Sequence, residues 1–336
     1  MPVLYAWSVI AIVAMVAGCD GSTSAADDEP DASTGMDTDM AMAELGAPIE
    51  LEWPGDNPDY ACADVDCVLT NIKSGPIRVE PFPDQPAIID YPTDLREGER
   101  VTLILNLHGG GSYANWQRHY FPAKDHVDEM RLIVIHPQAR NIDGLNRWPM
   151  DGSDDRYIRA LIAFVDDRFE AVDIDAFWVV GHSNGGMYGN QISCFGDLRP
   201  RMTGHLNLSG FSRGAFGFGA RCDINFIFSR GEHETNMIPP QPNPTAESYD
   251  CGAAVPSDDI VDAQGGQIYD TSPGRTMTDS WGGPAGPGSA TFEQHPGCDN
   301  GRVVAGYVRL GKGHTEGHEP NVTRHMLELM LSASNP

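Results

Sequence analysis

The stretch DAFWVVGHSNGGMYGNQ, residues 175–191, decides how the chain folds. Phe177, Trp178, Val179 and Val180 form a short apolar run that reads as a buried strand. From Asn184 to Phe195 the sequence suits a helix, with Met187, Tyr188, Gln191 and Ile192 at helical spacing. Ser183 lies between the two. A strand that enters a helix through one residue forces that residue into an unfavourable backbone conformation. Side chains on the neighbours would collide, and Gly181 and Gly185 remove them. Gly181-His182-Ser183-Asn184-Gly185 is the pattern G-x-S-x-G, the turn that exposes a nucleophilic serine at the top of a sheet. A glycine-rich turn with an incidental serine is the competing reading, so partners for Ser183 must be sought elsewhere.

Around this turn, strand-like and helix-like segments alternate. PIRVEPFP (76–83) and AIIDYP (87–92) read as short first strands, and VTLILNL (101–107) and RLIVIHP (131–137) as buried ones. In residues 155–172, Ile158, Leu161, Ile162, Val165 and Phe169 share one helical face. HLNLS (205–209), INFIFS (224–229) and VVAGYVRL (303–310) read as later strands, followed by a helix from about Asn321 to Leu331. This alternation predicts a mostly parallel, doubly wound α/β sheet, with its ligand beyond the carboxyl ends of the strands.

That geometry says where partners for Ser183 belong, in the order serine, acid, histidine. RGEHETNMIPP (230–240) follows one strand and offers Glu232 and Glu234. GKGHTEGHEP (311–320) follows the last and offers His314 and His318. An acyl-transfer intermediate also needs backbone N–H groups for its oxyanion. Asn184 N–H is one, and NLHGGGSYANW (106–116) supplies the other near Gly110 and Gly111. Trp116, Trp148 and His182 are the expected substrate contacts; for Trp116 and Trp281, which could flank an acyl group, partly buried packing is the competing reading.

The motifs LHGGG, IHPQA, GHSNGGM and GKGHT resemble the secreted esterases grouped with polyhydroxybutyrate depolymerases, feruloyl esterases and acetylxylan esterases, over roughly residues 75 to 335. The resemblance implies an α/β-hydrolase fold and a serine esterase with Ser183 as nucleophile and His314 as base. It places Trp148 at the family's tryptophan. Counting from Gly231 gives Glu234 as the acid where the family has aspartate. Glu232 is the alternative, or Asp250, Asp258 or Asp259 from the long segment 239–300. The histidine stretch GHTEGHEP departs from the family's usual tryptophan and proline, which touches the substrate wall. No metal or organic cofactor is implied. A peptidase on the same fold, or a non-catalytic anchored binding protein, are the rival readings.

Composition narrows the setting. The chain has 336 residues, with 48 Asp and Glu against 22 Lys and Arg, a formal charge of −26. Such a surface repels nucleic acid and anionic lipid. Residues 1–18 are apolar and lead through VAG to Cys19, a lipoprotein-type signal that lacks a starting Lys or Arg. Residues 19–50 read as an acidic disordered tether and 51–336 as the catalytic domain. An exported monomer is expected, touching the membrane only through a lipidated Cys19. Cys62, Cys67, Cys194, Cys222, Cys251 and Cys298 are an even set that suggests disulfides, with 15 connectivities open. Cys62 and Cys67 suit a small local loop better than a zinc site. A Cys251–Cys298 link would order the 239–300 segment, which also carries Trp281, as a wall over the site; a plain surface excursion is the competing reading.

Overall fold

The core strands alternate side chains between two apolar layers. In β3 (Arg100–Leu107), Leu103, Leu105 and Leu107 face one layer and Ile104 the other. In β7 (Asp173–His182), Phe177 and Val179 face the first layer, and Trp178 and Val180 the second. Such strands are buried on both faces and need helices above and below. The computed structural model describes residues 45–51, 72–210, 222–234, 242–268 and 283–333, within one unit that starts at Leu45. The expected signal segment, Cys19, Cys62, Cys67, Trp281 and most of the tether lie outside the described residues. Residues 45–50 belong to the domain rather than to a tether, because Gly46 N–H donates to Glu97 O (2.9 Å) and Ile49 N–H to Leu95 O (2.8 Å).

The ten-stranded sheet has the order β1-β2-β4-β3-β7-β8-β9-β12-β11-β10. Its remaining members are β1 (Ile72–Val79), β2 (Phe82–Pro92), β4 (Leu132–Pro137), β8 (Gly204–Leu208), β9 (Asn225–Gly231), β10 (Val255–Ile268), β11 (Gly283–His295) and β12 (Val304–Arg309). The run from β4 to β12 is parallel, and antiparallel strands close both ends. A separate two-residue hairpin pairs β5 (Asn141–Ile142) with β6 (Leu145–Asn146). Helices α2 (Asp155–Arg168) and α3 (Asn184–Phe195) pack on the first apolar layer. Helices α1 (Ala114–Tyr120) and α5 (Pro320–Ser332) pack on the second. A short α4 (Asn243–Ser248) leads into β10. With a serine at the strand-to-helix turn after β7, this is the α/β-hydrolase fold.

Two disulfides join the described cysteines: Cys194 to Cys222 (Cα–Cα 4.6 Å) and Cys251 to Cys298 (Cα–Cα 3.9 Å). The second joins the residues that flank β10 and β11 within the 239–300 segment. The described part of that segment is not a loop wall. It is mainly the long antiparallel pair β10–β11, which extends the sheet beyond β12. It also caps α5, since Asp262 accepts a hydrogen bond from the Asn321 N–H.

Candidate active site

Ser183 sits at φ 50°, ψ −115°, between β7 and α3, and half-buried. An ideal Cβ on Gly181 would lie 2.4 Å from the Gly185 carbonyl oxygen. One on Gly185 would lie 2.5 Å from the Leu107 and His108 carbonyl oxygens. Both positions therefore exclude any side chain, because backbone cannot yield as a flexible side chain can. The turn is anchored sideways, with Ser183 N–H donating to Leu208 O at the end of β8 (2.9 Å).

The candidate site runs along the carboxyl ends of four adjacent strands. Ser183 follows β7, Ser209 follows β8, Glu234 lies three residues past the end of β9, and His314 follows β12. His314 Nδ1–H donates to Glu234 Oε2 (3.1 Å). The other oxygen, Glu234 Oε1, accepts from Ser209 Oγ (2.5 Å) and from Gly231 N–H (2.7 Å). Burial of Glu234 favours its neutral form. The hydrogen bonds from His314, Ser209 and Gly231 outweigh it and hold the carboxyl below its ordinary value. The Glu234 side chain is 3% exposed and that of His314 is 33% exposed, so the pair is buried at the acid and open at the imidazole. Glu232 points elsewhere: it is exposed and accepts from Gly311 N–H (2.8 Å). Asp250, Asp258 and Asp259 are exposed too.

His182 couples the serine turn to the histidine loop. Its Nε2–H donates to the His314 carbonyl (2.8 Å), and the two ring centroids are 4.6 Å apart. Burial, followed by the nearby His314, keeps the His182 imidazole neutral far below its ordinary value. Among the described residues the Ser183 hydroxyl makes no hydrogen bond to His314. Hydrogen bonds of this kind are often long before substrate is bound.

The glycine loop after β3 packs directly on the turn. A Cβ on Gly109 would lie 2.6 Å from His182 Nδ1, and one on Gly110 would lie 3.5 Å from Asn184 Cβ. Gly111 does not fit its expected role as an oxyanion donor, because its N–H already donates to Asn146 O (2.7 Å) in β6. That leaves Asn184 N–H and Gly110 N–H as the candidate pair. His108 anchors the loop: its Nδ1–H donates to Gly109 O (2.7 Å) and its Nε2 accepts from Ala139 N–H (3.0 Å).

Three expected substrate contacts are buried. Trp116 and Trp148 are each 1% exposed and His182 is 3% exposed. Trp148 Nε1–H donates to His108 O (2.9 Å) and its ring stacks on Tyr188. The Asn184 side chain clamps the Trp148 backbone, accepting from its N–H (2.7 Å) and donating to its carbonyl (3.0 Å). Trp116 stacks on Tyr120. These residues build the site from behind and do not line it. Ser209, which grips the acid, escaped the sequence reading. Its place at the carboxyl end of a parallel strand was the available signal.

No protein-family model matches the chain, and no curated protein matches its sequence. Among solved structures the chain is similar to an acetyl xylan esterase from Aspergillus awamori, at 14% identity over 76% of this chain and 99% of that one (TM-score 0.48). It is also similar to an S-formylglutathione hydrolase from Staphylococcus aureus, at 16% identity over 50% of this chain and 81% of that one (TM-score 0.36).

Proposed function

We propose that the protein is a serine hydrolase of carboxylic esters. One observation carries the reading: a serine on a strained strand-to-helix turn adjoins His182, which contacts His314 (2.8 Å), and the His314 Nδ1–H is held by a buried carboxylate (3.1 Å). In this mechanism His314 Nε2 takes the Ser183 proton as Oγ attacks the ester carbonyl. Glu234 holds the imidazole in the required tautomer and stabilises the imidazolium that forms. Asn184 and Gly110 N–H groups meet the oxyanion. Protonated His314 then gives its proton to the leaving alcohol. Water, deprotonated by the same histidine, hydrolyses the acyl-enzyme and frees Ser183.

The sequence resemblance supports polyesters such as polyhydroxybutyrate, or feruloyl and acetyl esters of plant polysaccharide, as substrates. The two disulfides support an exported protein, and the VAGC signal supports a lipid anchor at Cys19. The test is hydrolysis of p-nitrophenyl esters, with a panel of those natural esters alongside. The parent is expected to turn them over, and Ser183→Ala to lose all but a trace while keeping its circular dichroism and melting temperature. Comparable turnover by both proteins would sink the reading.

A further inference from the structure

We propose that Arg309, the last residue of β12, is the positioning residue that sets the register of the His314 loop, an inference that rests on the hydrolase reading above. Arg309 is fully buried, at 0% exposure. Among the described residues no carboxylate stands within ion-pair distance of its guanidinium. Its two Nη groups donate to the loop that carries His314, while Nε has no hydrogen-bond partner among the described residues. Nη1 donates to Glu316 O (2.7 Å) and Gly317 O (3.1 Å), and Nη2 reaches Gly313 O (3.5 Å). Nη2 also approaches the Tyr120 hydroxyl (3.4 Å), and that hydroxyl donates to the His314 carbonyl (3.3 Å). The guanidinium carbon lies 5.8 Å from the centre of the Tyr120 ring.

Burying a cation without a counter-charge is costly. Packing alone would be met by an apolar side chain at no such cost. The loop carbonyls on either side of His314 supply the compensation, so the charge is spent on loop geometry. A planar fork can bind carbonyls at residues 313, 316 and 317 together, whereas the ammonium of lysine is a single point. Other contacts close the rest of the loop. Lys312 Nζ pairs with buried Glu319 (3.0 Å), Gly313 N–H donates to Glu316 Oε2 (3.0 Å), and His318 N–H donates to Tyr120 O (2.8 Å). Arg309 is the group that spans the loop interior.

The test uses the full chain as the parent, Arg309→Met, Arg309→Lys and Tyr120→Phe. Hydrogen–deuterium exchange is followed in peptides covering 311–319 and in peptides of β3 and β7. Steady-state hydrolysis of one soluble p-nitrophenyl ester is measured beside it. Arg309→Met is expected to raise exchange in 311–319 and not in β3 or β7. It should lower kcat on the order of 100-fold, the cost of a displacement near 1 Å, while KM stays within about threefold. Arg309→Lys should fall between parent and Arg309→Met. A folded Arg309→Met with parental exchange in 311–319 and parental kcat overturns the proposal. If Arg309→Met does not fold, the other two variants decide. Reduced kcat at unchanged melting temperature supports the proposal, and parental kcat and exchange in both overturn it. If the parent hydrolyses no ester, or Ser183→Ala hydrolyses as fast as the parent, the hydrolase reading fails. The exchange arm still reports whether Arg309 orders the loop.

Discussion

At Ser183 the backbone is held at φ 50°, ψ −115°, a conformation costing on the order of 1–3 kcal/mol that the packing around it must sustain. Its partners show the same economy of placement. Glu234 is fixed by three hydrogen bonds, whereas Glu232 is exposed and, among the described residues, its side chain accepts only from Gly311 N–H. Glu234→Gln is expected to lower kcat by about 10²- to 10⁴-fold, because the imidazolium loses its counter-charge. Glu232→Gln should stay within about threefold of the parent. Steady-state kinetics on one ester checks both, and the reverse order would move the acid to Glu232. Because the folded value of Glu234 is lowered, its ionised form stabilises the fold above the unfolded value of 4.5. That contribution is lost as pH falls below it. The difference in urea midpoint between parent and Glu234→Gln should therefore shrink from about pH 7 to about pH 3.5.

Among the elements, the turn and the 239–300 segment behave differently. The turn is rigid because β7, α3 and the glycine loop meet backbone to backbone at Gly181 and Gly185. The described part of the segment is an extension of the sheet, secured to β12 by pairing and at the base of the β10–β11 pair by Cys251–Cys298. Replacing both of these cysteines by alanine should lower stability by about 2–4 kcal/mol, since the unfolded chain gains freedom. Denaturant titration measures it, and an unchanged midpoint would show that strand pairing alone holds the segment. Of the six cysteines beyond Cys19, the two bridges use four. Thiol counting on the unreduced, denatured chain should thus find no more than two, setting Cys19 aside.

At the scale of the molecule, five histidines among the described residues are 3% exposed or less: His108, His136, His182, His205 and His318. Burial lowers every one of them, His108 to about 4 and His205 to about 3. In the unfolded chain they titrate near the ordinary value of 6.5. Below that pH the unfolded state binds protons that the folded state refuses, so stability falls as pH drops. Each such proton contributes about 1.4 kcal/mol per pH unit. Urea midpoints from about pH 7.5 to about pH 4.5 should decline steadily. His205→Leu should flatten the decline by up to one proton, since His205 lies in the core against Phe226 and Gly189. A midpoint that does not change over this range would contradict the linkage. Asp90 adds to acid sensitivity lower still. Its burial is outweighed by Arg118 and His136, which hold the carboxyl far below its ordinary range.

The sequence by itself determined what depends on neighbours in the chain. Apolar runs of strand length specified the parallel core, and the 155–172 pattern gave α2 its buried face. The glycines at 181 and 185 announced the turn, because the forbidden contacts there are set by local backbone geometry. The order of the candidate groups, serine then acid then histidine, followed from the alternation of strands and loops, with Glu232 and Glu234 both open at the acid station. Tertiary structure decided whatever depends on distant segments. Whether Trp116 and Trp148 are exposed is settled by His182 against the first and by Tyr188 and His108 against the second, all from other elements. Gly111 is withdrawn from the oxyanion role by a partner on β6. The β10–β11 extension is hidden in a Gly- and Pro-rich sequence with repeated register shifts, which breaks the two-residue alternation that marks a strand. Between Glu232 and Glu234 the choice falls to the close approach of two loops, where a Cβ on Gly231 would lie 2.4 Å from the Gly313 carbonyl oxygen. That contact joins residues more than eighty positions apart, and only the folded sheet brings them together.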